Sequence, residues 1–326
     1  MRWNGWEIGV LGMAFVGSLA GGVAGGQVVG ANEVIPVPAP TSDISRWTDG
    51  PGRFRVELDA NGAKLRGWDY KASPGGFARA EAARDGAAHV SGPSRGSDGM
   101  VSSPGAMVAA GATGAAADKS VPVVVFFNGN LMTIERTDEF YRSLAGLGVE
   151  VVAYDYRGYG FSEGQPDVGS FRADALLIHD KVAKEYAGRR VLVYGFSLGT
   201  AMAAYVASER KVDGVVLAAP FATAEEEMPV FARRMGFGAD AIRTMVLAED
   251  AKVAFDEVGM MRRSSAPLLV MSGSADMLVP MAQGRRVVEA SGAKVKQFVE
   301  LRGAQHHQTV FVHAAWQALG QFVRSL

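Results

Sequence analysis

The 326-residue chain contains no cysteine. That absence removes a disulfide framework, any thiolate zinc site and any cysteine nucleophile. Excess charge of one sign is missing too: 33 Lys and Arg stand against 34 Asp and Glu, for a formal net charge of −1. With no long basic run, nothing supplies the cationic stripe that a nucleic-acid partner requires. Histidine is scarce, at five residues, namely His89, His179, His306, His307 and His313. No two of them have the helical spacing of a metalloprotease motif, and adjacent His306 and His307 would point in different directions on a strand or helix. Neither a metal site nor a cofactor is expected. What is present, 48% hydrophobic and 21% charged residues, is the balance of a globular protein with a sizeable core. The length suits one large α/β domain or two small ones.

One long uncharged run lies between Glu7 and Glu33, long enough to cross a bilayer as a helix. Residues 1–32 are expected to be either a signal peptide, with Arg2 ahead of an apolar core and small residues near Ala20 or Ala24, or a retained membrane anchor. In both cases Arg2 stays inside and the bulk of the chain is exported or held outside the cytoplasm. Residues 33–52 begin with EVIPVPAPTSD, an extended Pro-rich linker. Residues 73–119 carry few large apolar side chains and cannot offset their ordering entropy, so a disordered insertion is expected there.

The rest alternates. Residues 53–70 switch between apolar and polar around Asn61–Gly62, a β-hairpin signal. From Val121 onward, the apolar runs VVVFF, VEVVAY, RVLVYG, VDGVVLAA, PLLVMSG and KVKQFVEL are each followed by a helical pattern. The helices are expected near 134–146, 170–187, from Ser197, within 221–263, near 281–291 and near 308–324. Continuous apolar strands alternating with helices predict an α/β fold, a mostly parallel doubly wound sheet covered by helices on both faces. Active sites of such sheets sit at the carboxyl ends of the strands, so the informative loops follow Phe127, Tyr154, Tyr194, Ala219, Gly273 and Leu301.

Gly195-Phe196-Ser197-Leu198-Gly199 matches G-x-S-x-G. In a chain with 41 glycines the pattern alone is weak, and Gly92-Pro93-Ser94-Arg95-Gly96 matches it as well. Context separates the two, because a nucleophile elbow is a sharp strand-to-helix turn. Ser197 stands between the strand RVLVY and the small-residue helix TAMAAYVA, whereas Ser94 has neither. A serine hydroxyl needs a base, and in this order of elements the acid comes before the histidine. Asp276 follows PLLVMSG and lands at a strand's carboxyl end; the competing reading is a loop aspartate that caps the next helix. Asp250 and Asp256 lie in the helical excursion and are poorer choices. His306 or His307 follows the last strand, while His179 and His313 sit in helical patterns and His89 in the insertion. Leu198 N–H and Asn130 N–H, the latter from Asn128-Gly129-Asn130-Leu131, are the expected oxyanion donors; a simple polar turn is the alternative for the latter.

With these residues the chain resembles the α/β-hydrolase superfamily, in particular its serine-aminopeptidase-like and Bem46-like branch, over roughly 53–70 and 120–326. Asp155-Tyr156-Arg157-Gly158-Tyr159-Gly160-Phe161-Ser162-Glu163-Gly164 is similar to the family's D-Y-R-G-Y-G-x-S-x-G segment, which implies a structural role. The family's terminal G-x-G-H pattern falls on His306, with Gln305 in place of a glycine, and makes His307 the alternative base. Its H-G-N oxyanion segment reads Asn128-Gly129-Asn130, without the first histidine. The resemblance implies one α/β-hydrolase domain over 53–326, with the insertion at 73–119 and a short helical cap at 221–263. Phe221, Met228, Phe231, Met235, Phe237, Met245, Met260 and Met261 could line an apolar acyl pocket there or simply pack the cap onto the core.

The expectation is a serine hydrolase that cleaves an ester, thioester or amide bond through an acyl-enzyme, with Ser197, Asp276 and His306 catalytic. An acyltransferase with the same triad, or a non-catalytic membrane-tethered binding module, are the alternatives. The expected partners are a small-molecule or lipid acyl substrate and, through the N-terminal segment if retained, a membrane, but no nucleic acid.

Overall fold

A computed structural model of the protein describes residues 28–29, 42–73, 118–234 and 236–326. Most of the expected signal peptide or anchor, residues 33–41 of the linker and nearly all of the insertion, with His89, Ser94 and Met235, lie outside the described residues.

The hairpin forms as the alternation requires. Strands β2 (Arg53–Ala60) and β3 (Ala63–Tyr70) pair antiparallel from Arg53–Tyr70 to Ala60–Ala63. Asn61 and Gly62 both take positive φ, 52° and 90°, the backbone that a two-residue turn between right-twisted strands requires. The apolar runs become β4 (Val123–Phe127), β5 (Glu150–Tyr154), β6 (Val191–Phe196), β7 (Gly214–Ala218), β9 (Leu268–Gly273) and β10 (Lys296–Leu301). Together they form an eight-stranded sheet of order β10-β9-β7-β6-β4-β5-β3-β2. Strands β4 to β10 of this sheet run parallel, and β3 joins β5 antiparallel. This is the doubly wound α/β sheet that the strand–helix alternation implied.

Strand periodicity divides the core in two. Val123, Val125 and Phe127 face one side with Val191, Val193, Val215 and Leu217. There they meet α2 (Val168–Glu185), α3 (Leu198–Glu209), α7 (Glu257–Arg263) and α8 (Met281–Ala290). Val124, Phe126, Leu192, Tyr194 and Val216 face the other side, against α1 (Asp138–Ala145) and α9 (His313–Ser325). With helices on both faces every central strand is buried, which is why these runs show no polar alternation.

Two helix starts differ from the sequence reading. Residues from 134 to 137 form turns before α1, and His307–Val310 is a separate 3-10 turn ahead of α9. In both places a side chain bonds locally to backbone: Thr137 Oγ1 donates to Thr133 O at 2.8 Å and Thr309 Oγ1 to His306 O at 2.7 Å. Such bonds compete with regular helix.

Between β7 and β9 the chain makes α4 (Ala224–Arg234), α5 (Ala239–Thr244), β8 (Val246–Leu247), α6 (Glu249–Ala254) and α7. A short strand β1 (Val28–Val29) pairs parallel with β8, so the end of the N-terminal apolar run contacts this excursion as strand. Among the described residues no helix is long and apolar enough to cross a membrane.

Candidate active site

The elbow is built by close approach. A Cβ on Gly195 would lie 2.2 Å from Gly199 O, and one on Gly199 would lie 2.1 Å from Phe127 O. Only glycine lets strand β6, helix α3 and the end of β4 meet this tightly. Ser197 between them takes φ 51° and ψ −119°, a strained conformation for a residue with a side chain. Its N–H donates to Ala218 O at 3.0 Å. The side chain is half-buried at the carboxyl edge of the sheet, at the mouth of α3.

The acid and histidine loops are stitched to each other. Ser274 N–H donates to Leu301 O at 3.0 Å, Ala275 N–H to Ala304 O at 3.1 Å and Gly303 N–H to Ser274 Oγ at 2.8 Å. This brings Asp276 and His306, thirty positions apart, into contact. His306 Nδ1 lies 2.8 Å from Asp276 Oδ2, and His306 Nε2 lies 2.9 Å from Ser197 Oγ. With Nδ1 protonated toward the carboxylate, Nε2 is left to accept the serine proton. Asp276 Oδ1 accepts from Leu278 N–H at 2.9 Å and Val279 N–H at 2.8 Å. One carboxylate oxygen therefore caps a turn while the other faces the imidazole. Helix α8 starts at Met281 with no side-chain cap at Pro280, so Asp276 caps the turn before that helix and not the helix itself. Asp276 and His306 are both buried.

The remaining candidates lie elsewhere. His307 is exposed, its ring centred 5.5 Å from that of His306 and 6.5 Å from that of Phe196. His179 is buried in α2, 3.2 Å from Asp180, and His313 is exposed at the start of α9. Asp256 caps α7 through Gly259 N–H at 2.8 Å, and Asp250 is exposed on α6.

Leu198 is the first residue of α3, where backbone N–H groups lack an intrahelical acceptor. The Asn128–Asn130 segment runs beside it, held by the approach of Gly199 to Phe127 and Asn128 carbonyls. Asn128, where the resembled family has histidine, is fully buried. Its Nδ2 donates to Tyr154 O at 3.3 Å, its Oδ1 accepts from Tyr141 O–H, and its carbonyl accepts from Tyr156 O–H at 2.8 Å. Tyr159 O–H reaches Asn130 Oδ1 at 3.4 Å. Tyr156 and Tyr159 come from the Asp155–Gly164 segment, which therefore braces the candidate oxyanion strip. Asp155 completes the brace: it is fully buried and accepts Ile134 N–H at 2.8 Å and Phe161 N–H at 3.0 Å. Burial pushes its carboxyl up to about 7 against those two bonds.

Four polar residues near the site carry no sequence signal. Glu227 on α4 accepts from Gln283 Nε2 at 2.8 Å, and Gln283 Oε1 accepts Ala222 N–H at 2.9 Å. Burial, with the Asp276 charge adding, raises Glu227 to about 8. Thr200 and Glu257 meet behind the elbow, at 2.6 Å between Oγ1 and Oε1. Among the described residues no group of three or more His, Asp or Glu is arranged to hold a metal.

Residues 118–252 match the family described as serine aminopeptidase, S33. The lysophosphatidylserine lipase ABHD12 of Danio rerio is 28% identical over 232 residues, covering 63% of this chain and 59% of its own length. An uncharacterized membrane protein of Saccharomyces cerevisiae is 30% identical over 193 residues, covering 57% and 63%. The chain thus spans less than two thirds of the length of either relative. Among solved structures, the Pyrococcus furiosus esterase Pf2001 superposes with a TM-score of 0.58 at 16% identity, over 89% of this chain and 96% of that one. A CIB-like hydrolase from Thermoplasma acidophilum superposes with a TM-score of 0.51 at 16% identity, over 85% and 100%. Sheet order, the sharp turn at Ser197 and these superpositions agree: the chain has the α/β-hydrolase fold.

Proposed function

We propose that the protein is a serine hydrolase that cleaves an acyl ester, thioester or amide through an acyl-enzyme. The observation that carries this reading is the unbroken chain Ser197 Oγ–His306 Nε2 at 2.9 Å and His306 Nδ1–Asp276 Oδ2 at 2.8 Å. Ser197 attacks the substrate carbonyl carbon as His306 Nε2 takes its proton. Asp276 holds the imidazole in the required tautomer and stabilises the imidazolium that forms. The Leu198 and Asn130 N–H groups receive the oxyanion. Collapse expels the leaving group with the proton from His306, and water repeats the sequence to free the acid and Ser197.

Residues 221–263 act as a cap in this reading. Phe221, Met228, Met260 and Met261 are buried in the core beneath it, so packing accounts for them. Phe231 and Met245 are only partly buried, and they are the side chains we assign to an acyl pocket. The lipase name of one relative and the membrane-protein name of another favour a lipid-derived acyl substrate and a chain tethered through its N-terminal segment, with the catalytic domain outside the cytoplasm.

A fluorophosphonate probe should label the native protein at Ser197 and spare Ser197→Ala. The same variant should lose roughly 10⁴-fold or more in kcat on chromogenic acyl esters. Retention of esterase activity by Ser197→Ala would end this reading.

A further inference from the structure

Glu257 is fully buried, and among the described residues no lysine, arginine or histidine compensates it. A lone carboxylate in such a place is strongly disfavoured. Hydrogen counting leads to the same conclusion without reference to burial. Thr200 Oγ1 lies within hydrogen-bond distance of two oxygens, the Ser197 carbonyl and Glu257 Oε1, the latter at 2.6 Å. A hydroxyl carries one proton, and the Ser197 carbonyl can only accept. Two oxygen–oxygen contacts of that length need two protons, and Glu257 is the only other group in the pair of contacts that can bring one. Burial holds its carboxyl well above the usual range, against the Thr200 hydroxyl and the Phe221 N–H, while the carboxyl of Glu227 on α4 raises it further.

We propose that Glu257 is a neutral acid and a positioning residue for the nucleophile: it donates to Thr200 Oγ1, which donates to the Ser197 carbonyl. Thr200 N–H donates to the same carbonyl at 2.8 Å, so that oxygen is held from two directions. The carbonyl and the Leu198 N–H belong to one planar trans peptide and point in opposite directions. Fixing the Ser197 oxygen toward the helix therefore fixes the Leu198 N–H on the side where an oxyanion would form. The relay also restrains Ser197 at φ 51°, which would otherwise relax. The consequence for turnover rests on the serine-hydrolase reading; the protonation state does not.

The test uses the full chain and four variants: Glu257→Gln, which keeps a donor; Glu257→Met, which has none; Thr200→Val; and the Glu257→Met/Thr200→Val double. Infrared difference spectra of native protein minus Glu257→Gln at pH 8 should show the carbonyl stretch of one protonated carboxyl. On a chromogenic acyl ester Glu257→Gln should keep kcat within about threefold. Glu257→Met and Thr200→Val should each lose about 10–100-fold in kcat with KM within about twofold, less than the loss of a whole oxyanion donor. The double variant should be no worse than either single, because the two groups act as one unit. Thermal melts identify the folded variants, and Thr200→Val, the smallest change, carries the kinetic test if Glu257→Met does not fold. An absent protonated-carboxyl band overturns the proton assignment whether or not the protein is a hydrolase. A present band with native kcat in folded Thr200→Val, or additive losses in the double, overturns the positioning role. Inactivity of the native protein itself would instead sink the hydrolase reading.

Discussion

Two glycine-rich loops leave the same edge of the sheet, and they use their glycines to opposite ends. The elbow at 195–199 spends its close approaches on lifting Ser197 to a half-buried edge position. The loop at 155–164 turns its polar groups inward. Asp155 and Ser162 are buried, Arg157 forms a two-pronged pair with Asp174, and Tyr156 stacks on Phe171 at 4.7 Å. A Cβ on Gly160, at φ 48°, would lie 2.0 Å from Asp155 Oδ2. Similar sequence texture thus produces one loop that exposes a reactive group and one that holds its neighbour in place. What separates them is where the polar atoms find partners, not how much glycine they hold.

Swapping the consequences of damage is the hardest test of this contrast. Ser197→Ala should remove turnover and leave the urea midpoint close to native, since the hydroxyl contributes only a hydrogen bond to His306. Asp155→Ala should cost about 3 kcal/mol or more, because it strands the buried Ile134 and Phe161 N–H groups. Gly160→Ala should cost a similar amount through steric conflict with the same carboxyl. Urea titrations of the three variants check this; a stable, inactive Asp155→Ala would make that loop catalytic and not structural.

The sheet is legible in the sequence because strands buried on both faces must be continuously apolar and the helices between them small or amphipathic. Ser197, Asp276 and His306 are legible because each lies within five residues of the carboxyl end of a strand. The braces are not. Glu257 and Glu227 sit in helical stretches where a glutamate reads as a solvated face, and only the approach of α3, α4 and α8 shows that they are covered. Thr200 has no motif of its own. The role of Asp155 is visible only through the resemblance, since by chemistry alone a glycine-rich segment after a strand suggests a ligand loop. The loss of histidine at Asn128 is compensated by tyrosines from two distant segments, a pairing that no local pattern encodes.

Glu227 offers a smaller test, because it couples the excursion to the acid loop. Its carboxyl, near 8 in the folded chain, releases its proton near 4.5 when unfolded. The native state then binds more protons than the unfolded state between those values. The stabilising contribution is complete below about pH 4 and is lost as pH rises through 8. At about 1.4 kcal/mol per tenfold change in proton affinity, discounted for partial exposure, the decline is on the order of 1–3 kcal/mol. Glu227→Gln should remove that decline, so native and variant urea midpoints converge at pH 5 and separate at pH 8.5, with the variant more stable. Parallel curves would place Glu227 in solvent, and α4 would then not close over the acid loop.

The smallest effect sharpens the division between neighbours. His306 contacts both Ser197 and Asp276, whereas His307, next in sequence, is exposed and meets the His306 ring edge to face. An edge contact of that kind is worth about 0.5–1.5 kcal/mol at most. His307→Ala should therefore change kcat/KM by less than about tenfold, whereas His306→Ala should cost at least a thousandfold. The two losses differ because His306 precedes and His307 opens the 3-10 turn, where adjacent side chains diverge, so only the His306 imidazole lies within reach of the elbow. If the larger loss fell on His307→Ala, the acid loop would have to carry Asp276 to a different ring, and the bonds that tie Ser274 and Ala275 to the chain around Ala304 would have to break to let it.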